Sequence, residues 1–264
     1  MSYGPQILTP SYYSRLFELE QVHGWCTGMR TLAAALLDPI FRSRTHWRVL
    51  DAGCGTGGMA DWLRRYPGTD VVGIDLSEDA LGFCQRRGQR ALVLGSVCEL
   101  PFVDQSFDFV LSTDVLQHVV DPPGDVATLR EALRVLRPGG YLYLRTNSRF
   151  GLGPQVREAN YRRYTRPELL DRFAQAGFAV ERATYANSLP SLLAIAQSRL
   201  RRRTASAQAM DLGLRLKPRP RGLRWIDHGL ASVLAAEAWY VQSRQRDLPF
   251  GHSLVVLARR PDNG

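Results

Sequence analysis

An α/β fold, a doubly wound parallel sheet with helices on both faces, is what the sequence predicts. Three observations carry the prediction. Short apolar runs alternate with amphipathic segments of roughly 9 to 14 residues, the rhythm of βαβ units. The first of these runs, "WRVLDAG" at 47–53, opens directly into a glycine-rich loop and then a helix. After a long helical detour the chain returns to an apolar run, "SLVVLARR" at 253–260.

The elements follow in order. Residues 11–41, "SYYSRLFELEQVHGWCTGMRTLAAALLDPIF", repeat apolar side chains at spacings of three and four and read as helical. "WRVLDAG" reads as a buried strand, and "GMADWLRRY" as the helix after the loop. "DVVGIDL" (70–76) is a second buried strand. "SEDALGFCQRR" follows as a helix, with Ser77 as N-cap and acids in the first turn. "RALVLG" (90–95) and "FDFVLST" (107–113) are a third and a fourth strand. "GDVATLREALRVLRPGG" is a helix that ends at Arg137-Pro138-Gly139-Gly140, where Pro cannot continue it and Gly supplies the turn. "YLYLRTN" (141–147) is the fifth strand. "RRYTRPELLDRFAQAGF" is a helix with Thr165 as N-cap, Pro167 in its first turn and Gly177 as its stop, and "FAVERATY" is a strand. Residues 186–250 break the alternation with a helix "LPSLLAIAQSRLRRR", a Pro- and Arg-rich linker "LKPRPRG" and a helix "RWIDHGLASVLAAEAWYVQSR". Right-handed crossovers turn this order into a doubly wound sheet, whose ligands sit at the carboxyl ends of the strands. The ends of the first four strands therefore surround one crevice.

Composition narrows the classes. The hydrophobic fraction of 45% and charged fraction of 22% are those of a globular protein. No apolar run is long enough to span a membrane, and the start lacks a basic segment followed by an apolar one, so the expected compartment is the cytoplasm. Cys26, Cys54, Cys84 and Cys98 are scattered, which reads as reduced thiols with no metal site. The net charge of +9 is concentrated: residues 186–224 hold nine basic side chains against Asp211, a local +8 that leaves +1 for the rest. This segment reads as a solvated lid or as a contact for an anionic membrane or acidic acceptor through 199–224. No nucleic-acid-binding module is visible.

The loop admits two cofactors. Gly53-x-Gly55-x-x-Gly58 fits the dinucleotide fingerprint, and Gly53-x-Gly55-x-Gly57 two residues after Asp51 fits a loop for S-adenosylmethionine. A pyrophosphate wants bare N–H groups with no carboxylate beside them. Asp51 would repel phosphates and suits an ammonium next to a sulfonium, so the loop favours S-adenosylmethionine over NAD. Asp75, at the end of the second strand, is an acceptor for both ribose hydroxyls and serves either cofactor, though not NADP.

At this point four segments resemble the class I S-adenosylmethionine-dependent methyltransferases of the "methyltransferase domain 11" group. They are "VLDAGCGTG" (49–57), "VVGIDLS" (71–77), "GSVCELPFVDQSFDFVLSTDVLQHVVDP" (95–122) and "ALRVLRPGGYLYL" (132–144). "LEQVHGWCTGMR" (19–30) is similar to a segment that precedes the domain in some members, with His23, Trp25 and Arg30 retained. The resemblance implies a Rossmann-like seven-stranded sheet of order 3-2-1-4-5-7-6 with its last strand antiparallel. It implies an N-terminal helical lid (1–45), a core (46–185 and 251–264) and a basic helical insertion (186–250) before the last strand. It implies a cofactor site of Asp51, Gly53, Cys54, Gly55, Gly57, Asp75, Leu76, Ser96, Val97 and Thr113, with Trp25 and Arg30 from the N-terminal segment. Ser96 stands where the family has an Asp for the adenine amino group, which exchanges a charge-assisted hydrogen bond for a neutral one.

"STDVLQHV" places Asp114 and His118 four apart, on one face of a short helix at the crevice. His118 reads either as a base for an attacking hydroxyl or as a packing histidine. Methyl transfer needs little beyond alignment of the nucleophile with the methyl group. Candidate acceptor residues are Tyr12, Tyr13, His23, Trp25, His118, Asn147, Arg149, Asn160, Tyr161, Arg163 and Tyr164, aromatics and polar groups that suit a ring or sugar-like molecule. The expectation is methyl transfer to oxygen or nitrogen of a small natural-product, sugar or lipid-like acceptor, with an NAD-dependent reductase or a non-catalytic binding module as rivals. The arginine-heavy, nearly lysine-free composition points to a GC-rich bacterial source and secondary metabolism.

Overall fold

The computed structural model of the protein describes residues 9–120, 124–150, 161–202, 220–242 and 246–262. Two helices, α1 (Pro10–Val22) and α2 (Gly24–Phe41), replace the continuous helix expected over 11–41. His23 is extended between them and its Nδ1 accepts the Trp25 N–H, while the Gly24 N–H donates to Asp227 Oδ1 from 203 positions away. A cap and a distant carboxylate together satisfy the groups that the break exposes.

β1 (Trp47–Ala52), α3 (Gly58–Leu63), β2 (Thr69–Asp75) and α4 (Glu78–Arg86) come next, with Ser77 Oγ capping α4 at Ala80 N. β3 (Leu92–Leu94) is shorter than the run from which it was read. β4 (Phe107–Thr113), a 3₁₀ turn at Leu116–His118 and α5 (Gly124–Val135) lead to β5 (Leu136–Asn147). β5 begins five residues before the expected strand, because the chain continues through Pro138 and Gly139 as an irregularity in the pairing with β4. α6 (Arg166–Ala176) carries a full capping box between Thr165 and Glu168 and stops at Gly177, as the sequence implies. β6 (Ala179–Ala186), α7 (Ser188–Arg202), α8 (Arg224–Gln242) and β7 (Ser253–Arg259) complete the chain.

The seven strands form one sheet of order β3-β2-β1-β4-β5-β7-β6, parallel except for β7, which runs antiparallel to both neighbours. Alternate residues feed opposite faces. Leu50, Val110, Leu142, Leu144 and Val256 pack with α5 and α6 in one core. Val49, Phe109, Leu111, Tyr143 and Val255 pack with α2 and α8 in the other. Both faces are covered, which is why the strands read as unbroken apolar runs. Among the described residues no helix is long and apolar enough to cross a membrane.

Candidate active site

A cavity of about 470 Å³ lies at the carboxyl ends of β1, β2 and β4, where the strand order reverses. Its base is the loop after β1. Gly53 and Cys54 both donate N–H to Ile74 O, and Gly55 N–H donates to Asp75 Oδ2 at 2.8 Å, so the end of β2 pins the loop. Gly53 has φ +81, and a Cβ there would lie 2.2 Å from the Val115 side chain; no other residue fits. Gly57, at the left-handed N-cap of α3, stands just outside the lining.

The cavity is acidic. Glu20, Asp51, Asp75 and Asp114 line it against Arg30 and Arg145. Asp51 is 1% exposed, and its Oδ2 has no hydrogen-bond partner among the described residues. Burial, with Glu20 and Asp75 nearby, pushes its carboxyl up to about 7. Burial likewise raises Asp75, whose bonds from the Gly55 and Ser77 N–H groups and the Tyr13 hydroxyl act against it. A buried carboxyl raised in this way, in a cavity with further acids, suits a cationic ligand. Arg30 forms no ion pair or hydrogen bond among the described residues and is placed to take a carboxylate. The Trp25 indole N–H, on the same wall, is buried without an acceptor among the described residues.

At the other end Leu76, 62% exposed, lines the cavity with Gly95, Ser96, Val97 and Cys98. Ser96 Oγ accepts the Cys98 N–H at 3.1 Å, which leaves its second lone pair for a ligand. Thr113 also reaches the lining.

The expected short helix carrying Asp114 and His118 does not form. Asp114 takes φ +60, and only Leu116–His118 make a 3₁₀ turn. The reason is tertiary: Asp114 turns to a bidentate pair with Arg145, 3.2 Å to Nε and 2.5 Å to Nη2, whose guanidinium lies 5.1 Å from the Trp25 ring. Asp114 and His118 both still line the cavity.

Of the acceptor candidates, Tyr12, Tyr13, Trp25 and His118 come together in the lining. Tyr161 lies behind His118, edge to face at 5.3 Å, with Arg163 over its ring at 4.9 Å. Four others lie elsewhere. His23 caps α2 and faces Asp227 at 3.8 Å. The Asn147 N–H is engaged by Gln117 Oε1 at the end of β5. Arg149 is held by Glu168 at 2.6 and 2.7 Å. Tyr164 is fully buried against Leu116 O and Asp125. Asn160 lies outside the described residues. Sequence reasoning passed over Glu20 and Arg145; the one signal for Arg145 was an arginine inside the apolar run "YLYLRTN".

Residues 50–144 match the family model of the methyltransferase domain. A fatty-acid O-methyltransferase of Mycolicibacterium smegmatis is 44% identical over 106 residues, 39% of this chain and 37% of that protein. A phthiotriol/phenolphthiotriol dimycocerosates methyltransferase of Mycobacterium ulcerans is 42% identical over 100 residues, 36% of this chain and 35% of that protein. The similarity thus spans little more than a third of these curated relatives. A solved phosphoethanolamine N-methyltransferase of Haemonchus contortus, in complex with S-adenosyl-L-methionine, shares the fold with a TM-score of 0.54 at 21% identity, over 83% of this chain and 50% of that one.

Proposed function

The chain carries a methyltransferase domain of the class I, S-adenosylmethionine-dependent type, and from that premise we propose that it moves a methyl group to an oxygen or nitrogen of a small, lipid-like acceptor. The residues present fit the cofactor. The acidic cavity with its unpartnered Asp51 Oδ2 suits the cationic end, and the exposed Leu76 side chain beside Val97 offers an apolar seat for the adenine. Asp75 would take the ribose hydroxyls, Arg30 the methionyl carboxylate and Ser96 the adenine amino group. When bound, S-adenosylmethionine supplies a methyl group already activated by its sulfonium.

The observation that carries the acceptor class is the wall built by α1 and α2. Tyr12, Leu16, Trp25 and Met29 make it apolar and aromatic, a surface for hydrocarbon rather than for a sugar. Relatives named for fatty-acid and dimycocerosate substrates support the same class. The protein's contribution to rate is then to exclude water and to hold the nucleophile in line. His118 lines the cavity with the Tyr161 ring edge to face against it, which supports a role as acceptor of the substrate's proton. With radiolabelled cofactor and a panel of fatty acids, aliphatic alcohols and amines, label is expected in an extractable methylated product; a panel with no labelled member would sink the lipid-like reading. On an active member, His118→Ala is expected to lower turnover about 100-fold with cofactor affinity nearly unchanged. Equal turnover in the variant would eliminate the base.

The arginine-rich stretch completes this reading. Residues 203–219 lie outside the described residues. Before them α7 exposes Leu189, Leu192 and Leu193, and after them α8 exposes Trp225 beside Arg224. Apolar anchors flanking a basic run suit an anionic lipid surface, where such acceptors reside. Co-sedimentation with phosphatidylglycerol vesicles, falling with salt and absent with phosphatidylcholine alone, is the expected result; equal recovery with both would remove the contact.

A further inference from the structure

Glu20 seats α1 on the glycine loop. Its Oε2 accepts from Thr56 Oγ1 at 2.5 Å and from Arg87 Nη2 at 2.8 Å. A Cβ on Gly58 would lie 2.4 Å from the Glu20 carboxyl carbon, so the third glycine of the fingerprint is where this carboxylate rests. A side chain at that position would displace the carboxylate. The Glu20 side chain is 16% exposed and lines the cavity, and its Oε1 takes no hydrogen bond among the described residues.

Glu20 feels both Arg87 and Arg30, and the first of these is divided with a second acid. Arg87 is not Glu20's alone: its Nε is spent on Thr56 O, and Asp61 lies 4.0 Å from its Nη1. Two carboxylates therefore divide one guanidinium. Arg87 lies outside the cavity lining, whereas Glu20 is part of it. Glu20 also ranks among the causes that hold the Asp51 carboxyl up, so the two acids sense one another inside one cavity.

We propose that Glu20 is a further cofactor-site carboxylate, supplied by α1, which acts with Asp51 on the cationic end of the cofactor and biases the site toward the charged methyl donor over its uncharged thioether product. The donor carries a sulfonium that the product lacks, and a buried carboxylate separates the two by that charge alone. Glu20 lies outside the segment that matches the methyltransferase domain, so α1 becomes part of the site.

Isothermal titration of the whole protein with S-adenosylmethionine and with S-adenosylhomocysteine tests this without turnover. Glu20→Gln is expected to weaken the donor about tenfold and the product about twofold, a fivefold change in their ratio. Thr56→Val keeps the carboxylate and drops one docking bond, so both ligands should weaken alike with the ratio unchanged. Glu20→Asp keeps the charge and should keep most of the ratio; it also serves if the Gln variant fails to fold by circular dichroism. Equal weakening of both ligands in Glu20→Gln would reduce Glu20 to a docking residue and overturn the proposal, as would no weakening of either. Wild-type protein that binds neither ligand would remove the cofactor assignment on which it rests.

Discussion

Asp75→Ala is expected to weaken S-adenosylmethionine about 100-fold. Asp75 stands at the end of β2 and does two jobs. Inside the protein it accepts the Gly55 N–H at 2.8 Å and the Ser77 N–H at 3.0 Å, which fixes the loop after β1. Toward the ligand it offers its remaining acceptor capacity, together with the place of the long Tyr13 hydroxyl contact at 3.5 Å, to the two ribose hydroxyls. Hydrogen bonds to a charged group contribute about 1.5 to 3 kcal/mol each, and tenfold in affinity is about 1.4 kcal/mol. Losing two such bonds reaches a hundredfold before any loosening of the loop is counted. Asp75→Asn retains an acceptor for Gly55 and should fall between, near tenfold. Titration calorimetry with both variants measures this, and an Ala variant within threefold of wild type would rule out Asp75 as the ribose acceptor.

Cofactor affinity should rise with pH to about 7 and then level, while the stability of the ligand-free protein moves the other way. The sign follows from Asp51, whose carboxyl stands at about 7 against an ordinary 3.8. Between those limits the folded protein keeps a proton that the unfolded chain has released, so raising pH erodes stability. Full ionisation costs on the order of 4 kcal/mol. Glu20 and Asp75 are raised as well and add in the same direction. The cationic cofactor prefers the ionised carboxylate. Each pH unit below 7 therefore costs up to about tenfold in affinity. Urea melts of the ligand-free protein and titrations between pH 5.5 and 8 give the two slopes, and Asp51→Asn should flatten both. An affinity that does not change over that range would exclude Asp51 as the group that meets the cation.

The legible parts of the site share one property. Asp51, the glycines and Asp75 lie within a strand and its following turn, and their chemistry depends on backbone that neighbours them in sequence. Asp51 decided the loop for a cation because a carboxylate at that position repels phosphate wherever the rest of the chain goes. The strand ends after β3 and β4 were readable for the same reason, and Ser96 and Thr113 do line the cavity. Side chains that act across the fold were not readable. Tyr164 looked like a pocket aromatic but is fully buried, because Leu116 and Asp125 come to it from other elements. Spacing alone put Asp114 on a helix, and the ion pair with Arg145, 31 positions on, took it off.

The sequence by itself determined the alternation of strands and helices, the glycine loop with its acid and the acid at the end of the second strand, since each rests on contacts within a few residues. Tertiary structure alone decided the ion pairs behind the cavity wall. Glu20 meets Thr56 and Arg87 from 36 and 67 positions away, and Arg145 of β5 pairs beneath Trp25 with Asp114, just past the end of β4. No periodicity records such meetings, because the energy that fixes them is Coulombic and depends on distance in space rather than along the chain.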